Sequence, residues 1–323
     1  MATPLTTPHP VSTARLQSPL LRRAALALLP IACAVFVWAM PGSARAATAP
    51  TVVEAVQLPA WVEHSGQRRP AQPGQTLGAR DSAITAEGAR MLLRLPDRSM
   101  VKLGEKTQFL IEEMAQSRSG KVDPGTLKST LRLVTGIFRY ATDYSSKALG
   151  VRRDLSLKIN TATVGVRGTD FWSMTDDAHD AVCLFEGKVE VLSSAQGSIP
   201  LDKPGAFWLT FTGKPATPPG QATPDQLAKF IAQAELTPGA GIALEGGRWR
   251  AVAALLSSGV EAAALRERLR TAGYPADILV KRGRYEVRIN DLATEQDATS
   301  VLERLQQATD LTADGARVAL ASS

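Results

Sequence analysis

The sequence predicts a mainly β body, a β-sandwich or β-roll, followed by a small α/β module of order βαββαβ. Three observations carry this. Between residues 51 and 212, short apolar runs alternate with Pro, Gly, Asn and Asp turn residues, the pattern of many short strands. From residue 248 onward, strand-like and helix-like periods take turns. Between 161 and 171, a strand pattern carries two glycines and a charge, which reads as a bulged strand.

The chain has 323 residues, room for more than one domain. Residues 1–46 read as a signal peptide. Arg22 and Arg23 form a charged start, Ala24–Met40 an apolar run interrupted by Pro30, and Ala44-Arg45-Ala46 a small-x-small cleavage site leaving Ala47 first. The alternative is a retained anchor in the inner membrane, with the basic side cytoplasmic. Either reading puts most of the chain outside the cytoplasm, in the periplasm if the leader is cleaved. The net charge is +6, and four of the 37 basic residues lie in this leader without any acid. The remainder nearly balances the 31 acidic residues, so a persistent basic face for nucleic acid is not expected. Of two cysteines, Cys33 lies in the leader; Cys183, in an apolar run, reads as a buried, inert thiol.

The β body is expected over 47–212. Val53–Val56 opens it, and Pro73-Gly74, Pro96-Asp97, Glu186-Gly187 and Pro204-Gly205 supply turns. Ser117–Lys128 reads as a surface loop and Ala141–Arg153 as a second polar insertion. In the central stretch Val164 and Val166 alternate as a half-buried strand does, while Gly165 and Gly168 interrupt it. Arg167 enters an apolar run there and needs a partner, with Asp170 or Glu186 available. A ligand-contacting Arg167 is the other reading.

Residues 213–247 read as a Pro/Gly-rich linker with a short helix. Thr223 is an N-cap, Pro224 fits the first helical position, and Gln226 completes a capping box. Leu227, Phe230, Ile231 and Ala234 form an apolar stripe expected to pack on the β body, and Glu245-Gly246-Gly247 reads as a hinge. In the last module, 248–321, Arg248–Leu256 reads as a strand and Glu261–Ala272 as a helix stopped by Gly273. Ala276–Lys281 and Tyr285–Ile289 read as a hairpin turning at Arg282-Gly283-Arg284. A helix from Thr294 and a strand over Ala316–Leu320 complete it.

These stretches carry two family resemblances. The run Val164-Gly165-Val166-Arg167-Gly168-Thr169-Asp170-Phe171 resembles the signature of the FecR domain, a bacterial envelope module. Leu93–Leu103, Leu131–Phe138 and Phe185–Val191 resemble its flanking strands. Many FecR proteins carry a cytoplasmic segment that binds a sigma factor. Met1–Leu21 is short and without amphipathic period, so the resemblance implies an exported FecR-like protein without that arm. The order of the last module, with the helix leading through Gly273-Tyr274-Pro275 into a strand, resembles the SPOR domain. Its members bind peptidoglycan glycan strands stripped of stem peptides. Val252 stands where that family carries a glycan-facing Gln.

Alternation puts Arg250 and Val252 on one sheet face with Arg284, Glu286 and Arg288, and puts Ala251, Ala253, Val287 and Ile289 against the helices. Arginines can bond sugar hydroxyls and N-acetyl groups, and Trp249 can stack on a ring. The other reading is a solvated charged face. No catalytic grouping stands out. His64 lies in a turn-like setting and His179 at a hairpin tip, Glu112-Glu113 reads as a solvated strand end or loop, and Asp176-Asp177 lacks the spacing of a calcium loop. No metal, cofactor or enzymatic activity is expected. The leading reading is a non-enzymatic envelope protein, a FecR-like sensing or scaffold body docked to peptidoglycan by a SPOR-like domain. Other envelope proteins are possible partners of the body. The alternatives are a membrane-anchored FecR-type protein relaying an envelope signal and, third, a glycan-cleaving enzyme.

Overall fold

A computed structural model describes residues 50–117, 126–142, 152–215 and 217–321. The leader with Ala44 and Ala46, and most of the two polar insertions, therefore lie outside the described residues. The chain is mainly β, followed by a small α/β module. In order come β1 (Thr51–Gln57), β2 (Ala60–His64), β3 (Gln67–Pro70), β4 (Thr76–Leu77), β5 (Ser82–Thr85), β6 (Arg90–Arg94), β7 (Met100–Leu103), β8 (Gln108–Ser117), β9 (Thr126–Ala141) and β10 (Arg152–Lys158). Then follow β11 (Ala162–Thr175), β12 (His179–Ser193), β13 (Gly197–Leu201), β14 (Ala206–Phe211), β15 (Gly220–Gln221), α1 (Pro224–Ala234) and β16 (Ile242–Leu244). The last module is β17 (Trp249–Leu256), α2 (Gly259–Thr271), β18 (Ala276–Lys281), β19 (Arg284–Leu292), α3 (Glu295–Gln307) and β20 (Arg317–Leu320), the βαββαβ order expected.

The body is held together by three long strands that change partners along their length. The first half of β9 lies between β8 and β10, whereas its second half lies between β7 and β11. The change falls at Gly136, whose φ is +99°. A Cβ there would lie 2.4 Å from the Cα of Thr107. Likewise β11 pairs with β10 up to Val166 and with β9 from Asp170 onward. Its irregularity lies at Gly168-Thr169, which oppose the lone Gly187 of β12, a bulge that bends the ribbon. Gly168 and Gly187 both have positive φ, and a Cβ on Gly187 would meet the Gly168 carbonyl at 2.5 Å. Glu186-Gly187, expected as a turn, is thus a bulge inside β12. Gly165 sits in regular strand.

Inside the bend, Phe109, Phe138, Phe171 and Tyr140 pack ring to ring at 5.6–6.0 Å and are all fully buried. The Tyr140 hydroxyl lies 2.9 Å from Ser99 Oγ, and burial pushes its pKa up to about 12. Ser99 is set by the Asp97 carboxylate, which also binds Arg153. The Pro96-Asp97 turn is therefore plugged into the core. Cys183 is fully buried, and burial pushes its thiol up to about 12, as befits an inert side chain.

Several expectations are corrected. Thr126–Lys128 belong to β9 and not to a surface loop. Glu112-Glu113 lies within β8, where Glu112 receives Lys158 Nζ at 2.6 Å and also Arg132. The Lys158 bond, opposed by burial and reinforced by Arg132, holds the Glu112 carboxyl below its usual range. A carboxylate lowered on folding stabilises above the unfolded pKa and loses that contribution as pH falls through the folded value. Glu112→Gln is expected to lower the melting temperature at neutral pH, with the gap from wild type closing as pH falls below the carboxylate range. A pH-independent gap would contradict this.

Helix α1 has the expected cap: the Thr223 side chain accepts from Gln226 N, and Gln226 reaches back to Thr223 N at 2.8 Å. Phe230 stacks on Trp172 at 4.2 Å and on Phe207 at 5.7 Å, so its stripe packs on the β body. Past it, β16 pairs with β1 through Ala55–Gln57 and touches β19 at Leu292. Glu245-Gly246-Gly247 is a tight turn closed by Gly247 N to Leu244 O at 3.0 Å. The buried Asp297 of α3 accepts from Gly241 N and Ile242 N at 3.0 and 2.9 Å. Over the described residues, body and module pack as one unit.

Candidate functional site

The sheet of the last module runs β20–β17–β19–β18, all antiparallel. One face carries Ala251, Ala253, Ala254, Val287 and Ile289, fully buried beneath α2 and α3. The opposite face carries charge. The β19 hairpin turn has positive φ at both Arg282 and Gly283, the turn whose twist matches a two-residue hairpin, and it sets Arg284, Glu286 and Arg288 in register.

Glu286 is the hub of this face. It accepts from Arg317 Nη2 at 2.5 Å and lies 3.7 Å from Arg250 Nη1 and 3.8 Å from Arg288 Nη1. Arg288 also reaches Asp277 Oδ2 at 3.3 Å. Arg250 donates to Leu320 O and Arg284 to Leu255 O, each at 2.8 Å. Three guanidiniums thus gather around two carboxylates, and Arg284 on the same face is tied to a backbone carbonyl, leaving a net basic surface. The Arg250 and Arg288 side chains are only 8% and 16% exposed, whereas Arg284 and Arg317 stand out at the rim. Such an arrangement presents fixed N–H donors outward without needing to order them on binding.

Of the residues read from the sequence, Arg250, Arg284, Glu286 and Arg288 come together. Val252 and Trp249 do not join them as contact residues. Val252 is fully buried, flanked in register by Arg288 on one side and Arg317 on the other. Trp249 has the opposite parity to Arg250 along β17 and packs, half-buried, against the core. Arg317 and Asp277 were missed, although alternation along the last strand puts Arg317 beside Val252.

The bulged stretch of the body is a structural device. Val164, Val166, Thr169 and Phe171 are buried, and Thr142 bridges to Thr169 through three hydrogen bonds of 3.0–3.1 Å. Asp170 is taken by Arg139, which grips it with Nε at 2.9 Å and Nη2 at 2.7 Å. Arg139 Nη1 also binds Glu235 of the α1 cap at 2.6 Å. Burial opposes the Arg139 charge, but the bond to Asp170 and the fields of Asp170 and Glu235 outweigh it and favour the charged form. The side chain of Arg167 lies outside the described residues. His64 pairs with Asp81 at 2.5 Å and His179 with Asp176 at 2.9 Å. Among the described residues, no group of three or more His, Cys, Asp or Glu is placed to hold a metal ion. No helix among them is long and apolar enough to cross a membrane.

Comparison with known proteins gives two family matches. Residues 81–190 match the family model described as FecR protein, and residues 244–313 match the SPOR domain. No curated protein matches the chain. Among solved structures, it is similar to a "putative anti-sigma factor" from Parabacteroides distasonis ATCC 8503, in crystal structures at 1.65 and 2.50 Å resolution. Each shares 15% identity at a TM-score of 0.35, covering 75% of this chain and 99% or 98% of the other.

Proposed function

The chain carries a FecR domain followed by a SPOR domain, and from that premise we propose an exported, non-enzymatic protein of the cell envelope. In this reading residues 1–46 are a signal peptide cleaved after Ala46, 47–212 form a sensing or scaffold body, 213–247 a connector whose helix and short strand pack onto that body, and 248–321 a peptidoglycan-docking module. The mature protein works in the periplasm.

The observation that carries the docking half is the preorganised arginine face around Glu286. Glycan strands without stem peptides offer hydroxyls and N-acetyl carbonyls. Arginine N–H groups held in place by ion pairs or, for Arg284, by a backbone carbonyl can donate to those oxygens. Arg284 and Arg317, at the accessible rim, make first contact, while Arg250 and Arg288 hold the hub in place.

Co-sedimentation with purified sacculi tests this. The wild-type chain is expected to pellet with them. The double variant Arg284→Glu/Arg317→Glu should bind at least about tenfold more weakly, the worth of one hydrogen bond to a charged group. Equal pelleting of both, or none by either, removes the docking half. Mass spectrometry of the N-terminus tests the export half. A start at Ala47 supports it, whereas an uncleaved form in the inner membrane supports the anchored signalling protein instead.

A further inference from the structure

On the helix side of the module, away from the arginine sheet face, a cavity of about 810 Å³ opens between the β2–β3 hairpin and α2. The body supplies Trp61, Arg68, Arg69 and Gln72 to its lining, and α2 supplies Glu267 and Arg270. We propose that this cleft binds an anionic saccharide, a sugar carrying a carboxylate.

The floor is an aromatic plate that is already fixed. Trp61 Nε1 donates to Thr271 O at 3.2 Å. Its ring edge sits where a Cβ on Gly273 would come within 2.8 Å, so only glycine at that helix stop lets the indole lie there. Indole faces pack on the C–H faces of sugar rings, and Pro70 and Pro73 extend the apolar surface beside it.

The walls carry positive charge that the fold does not fully use. Arg69 bonds the neutral Gln67 Oε1 at 3.3 Å and makes no ion pair among the described residues. Arg270 donates to Ala276 O at 3.1 Å and stands 3.9 Å from Glu267. Arg68 is shared between Glu63, at 3.2 Å, and the Trp61 ring, at 5.9 Å. Guanidinium forks recognise carboxylate or phosphate in pairs. Glu267 in the same wall disfavours a doubly charged phosphate but can accept from sugar hydroxyls, as the Gln72 amide can donate to them.

The cleft also turns the edge of the sheet. β3 pairs only with β2 among the described residues, and the register puts Arg69 with Val62 on the face opposite Trp61 and Pro70. From that edge Arg69 lines both this cleft and a second cavity of about 480 Å³ on the face of His64 and Gln67. A saccharide with one ring on Trp61 can therefore place its acid on Arg69 around the β3 edge.

The test is isothermal titration of the full chain with a galacturonic acid trimer, against a neutral chitin trimer and inorganic phosphate. The acidic trimer is expected to bind, and the neutral trimer about tenfold more weakly. Arg69→Gln and Arg270→Gln should each cost about tenfold in affinity, the size of one charge-assisted bond. Arg284→Glu/Arg317→Glu should leave the affinity unchanged, which separates this site from sacculus docking. Arg270 is tied into the end of α2, so a thermal melt accompanies that variant; Arg69 lies on an exposed edge. No binding of the acidic trimer, equal affinity for the neutral one, displacement by phosphate, or an unaffected Arg69→Gln variant would overturn the proposal.

Discussion

Gly136→Ala is expected to destabilise the protein by about 2–6 kcal/mol, the sum of a strained backbone and an overpacked contact. The measurement is the shift in denaturant midpoint at unchanged slope. A side chain at φ +99° is already unfavourable. Here it would also lie 2.4 Å from both Cα and Oγ1 of Thr107 and 2.8 Å from the Lys106 carbonyl. Backbone cannot yield there, because Thr107 is itself fastened: its N–H donates to Thr85 Oγ1 at 3.0 Å, and its Oγ1 accepts from Ile137 N at 2.9 Å. The matched control is Gly165→Ala. That glycine sits in regular strand, and the nearest atom to a new Cβ is Glu190 O at 3.9 Å, so a change within about 0.5 kcal/mol is expected. Similar losses at the two positions would contradict this account of the bend.

Arg139→Met is expected to cost about 3 kcal/mol, the lower end for breaking a buried ion pair, because Glu235 remains partly wetted. The guanidinium is 13% exposed and lies 5.1 Å from the Phe185 ring. Its removal leaves Asp170 without its bidentate partner inside the sheet. It also removes one of the two cations on Glu235; Lys102 is the other. Combining Arg139→Met with Asp170→Leu should cost less than the two single changes added together, since no carboxylate then remains stranded. Strict additivity would show that the pair does not act as a unit. Since Glu235 caps α1, the single variant should also become more sensitive to proteolysis near that helix.

What could be read in advance followed how local the signal was. The Thr223 and Gln226 cap and the Arg282-Gly283 turn each depend on residues a few places apart, and the structure has both, whereas the alternation read through Ala251 and Ala253 is interrupted by a bulge between Val252 and Ala254. The partner of Asp170 was not local. It comes from Arg139 on the neighbouring strand, whereas the sequence reading offered Asp170, beside Glu186, as a partner for Arg167. Glu112 looked like a wet strand end because its two cations, Arg132 and Lys158, lie on separate strands. Glu186-Gly187 has turn chemistry, but a glycine with positive φ serves a bulge equally well, and only the facing Gly168 decides between them. At the arginine face, alternation found the hub yet misjudged exposure. Burial of Val252 depends on Arg288 and Arg317 flanking it from two strands. β16 has only three residues, too short to show a period.

That three-residue strand has a consequence for how the molecule is made. The last three residues of β1 find one of their two neighbouring strands in Ile242–Leu244. A chain emerging from its N-terminus presents those residues early, yet the segment that closes their edge arrives only after the whole body has been produced. Until then Ala55–Gln57 offer bare amide and carbonyl groups to any passing strand. Final closure of the first strand is therefore timed by the last third of the polypeptide. A product cut short before residue 242 would be an incomplete body with a sticky seam, rather than a smaller working protein.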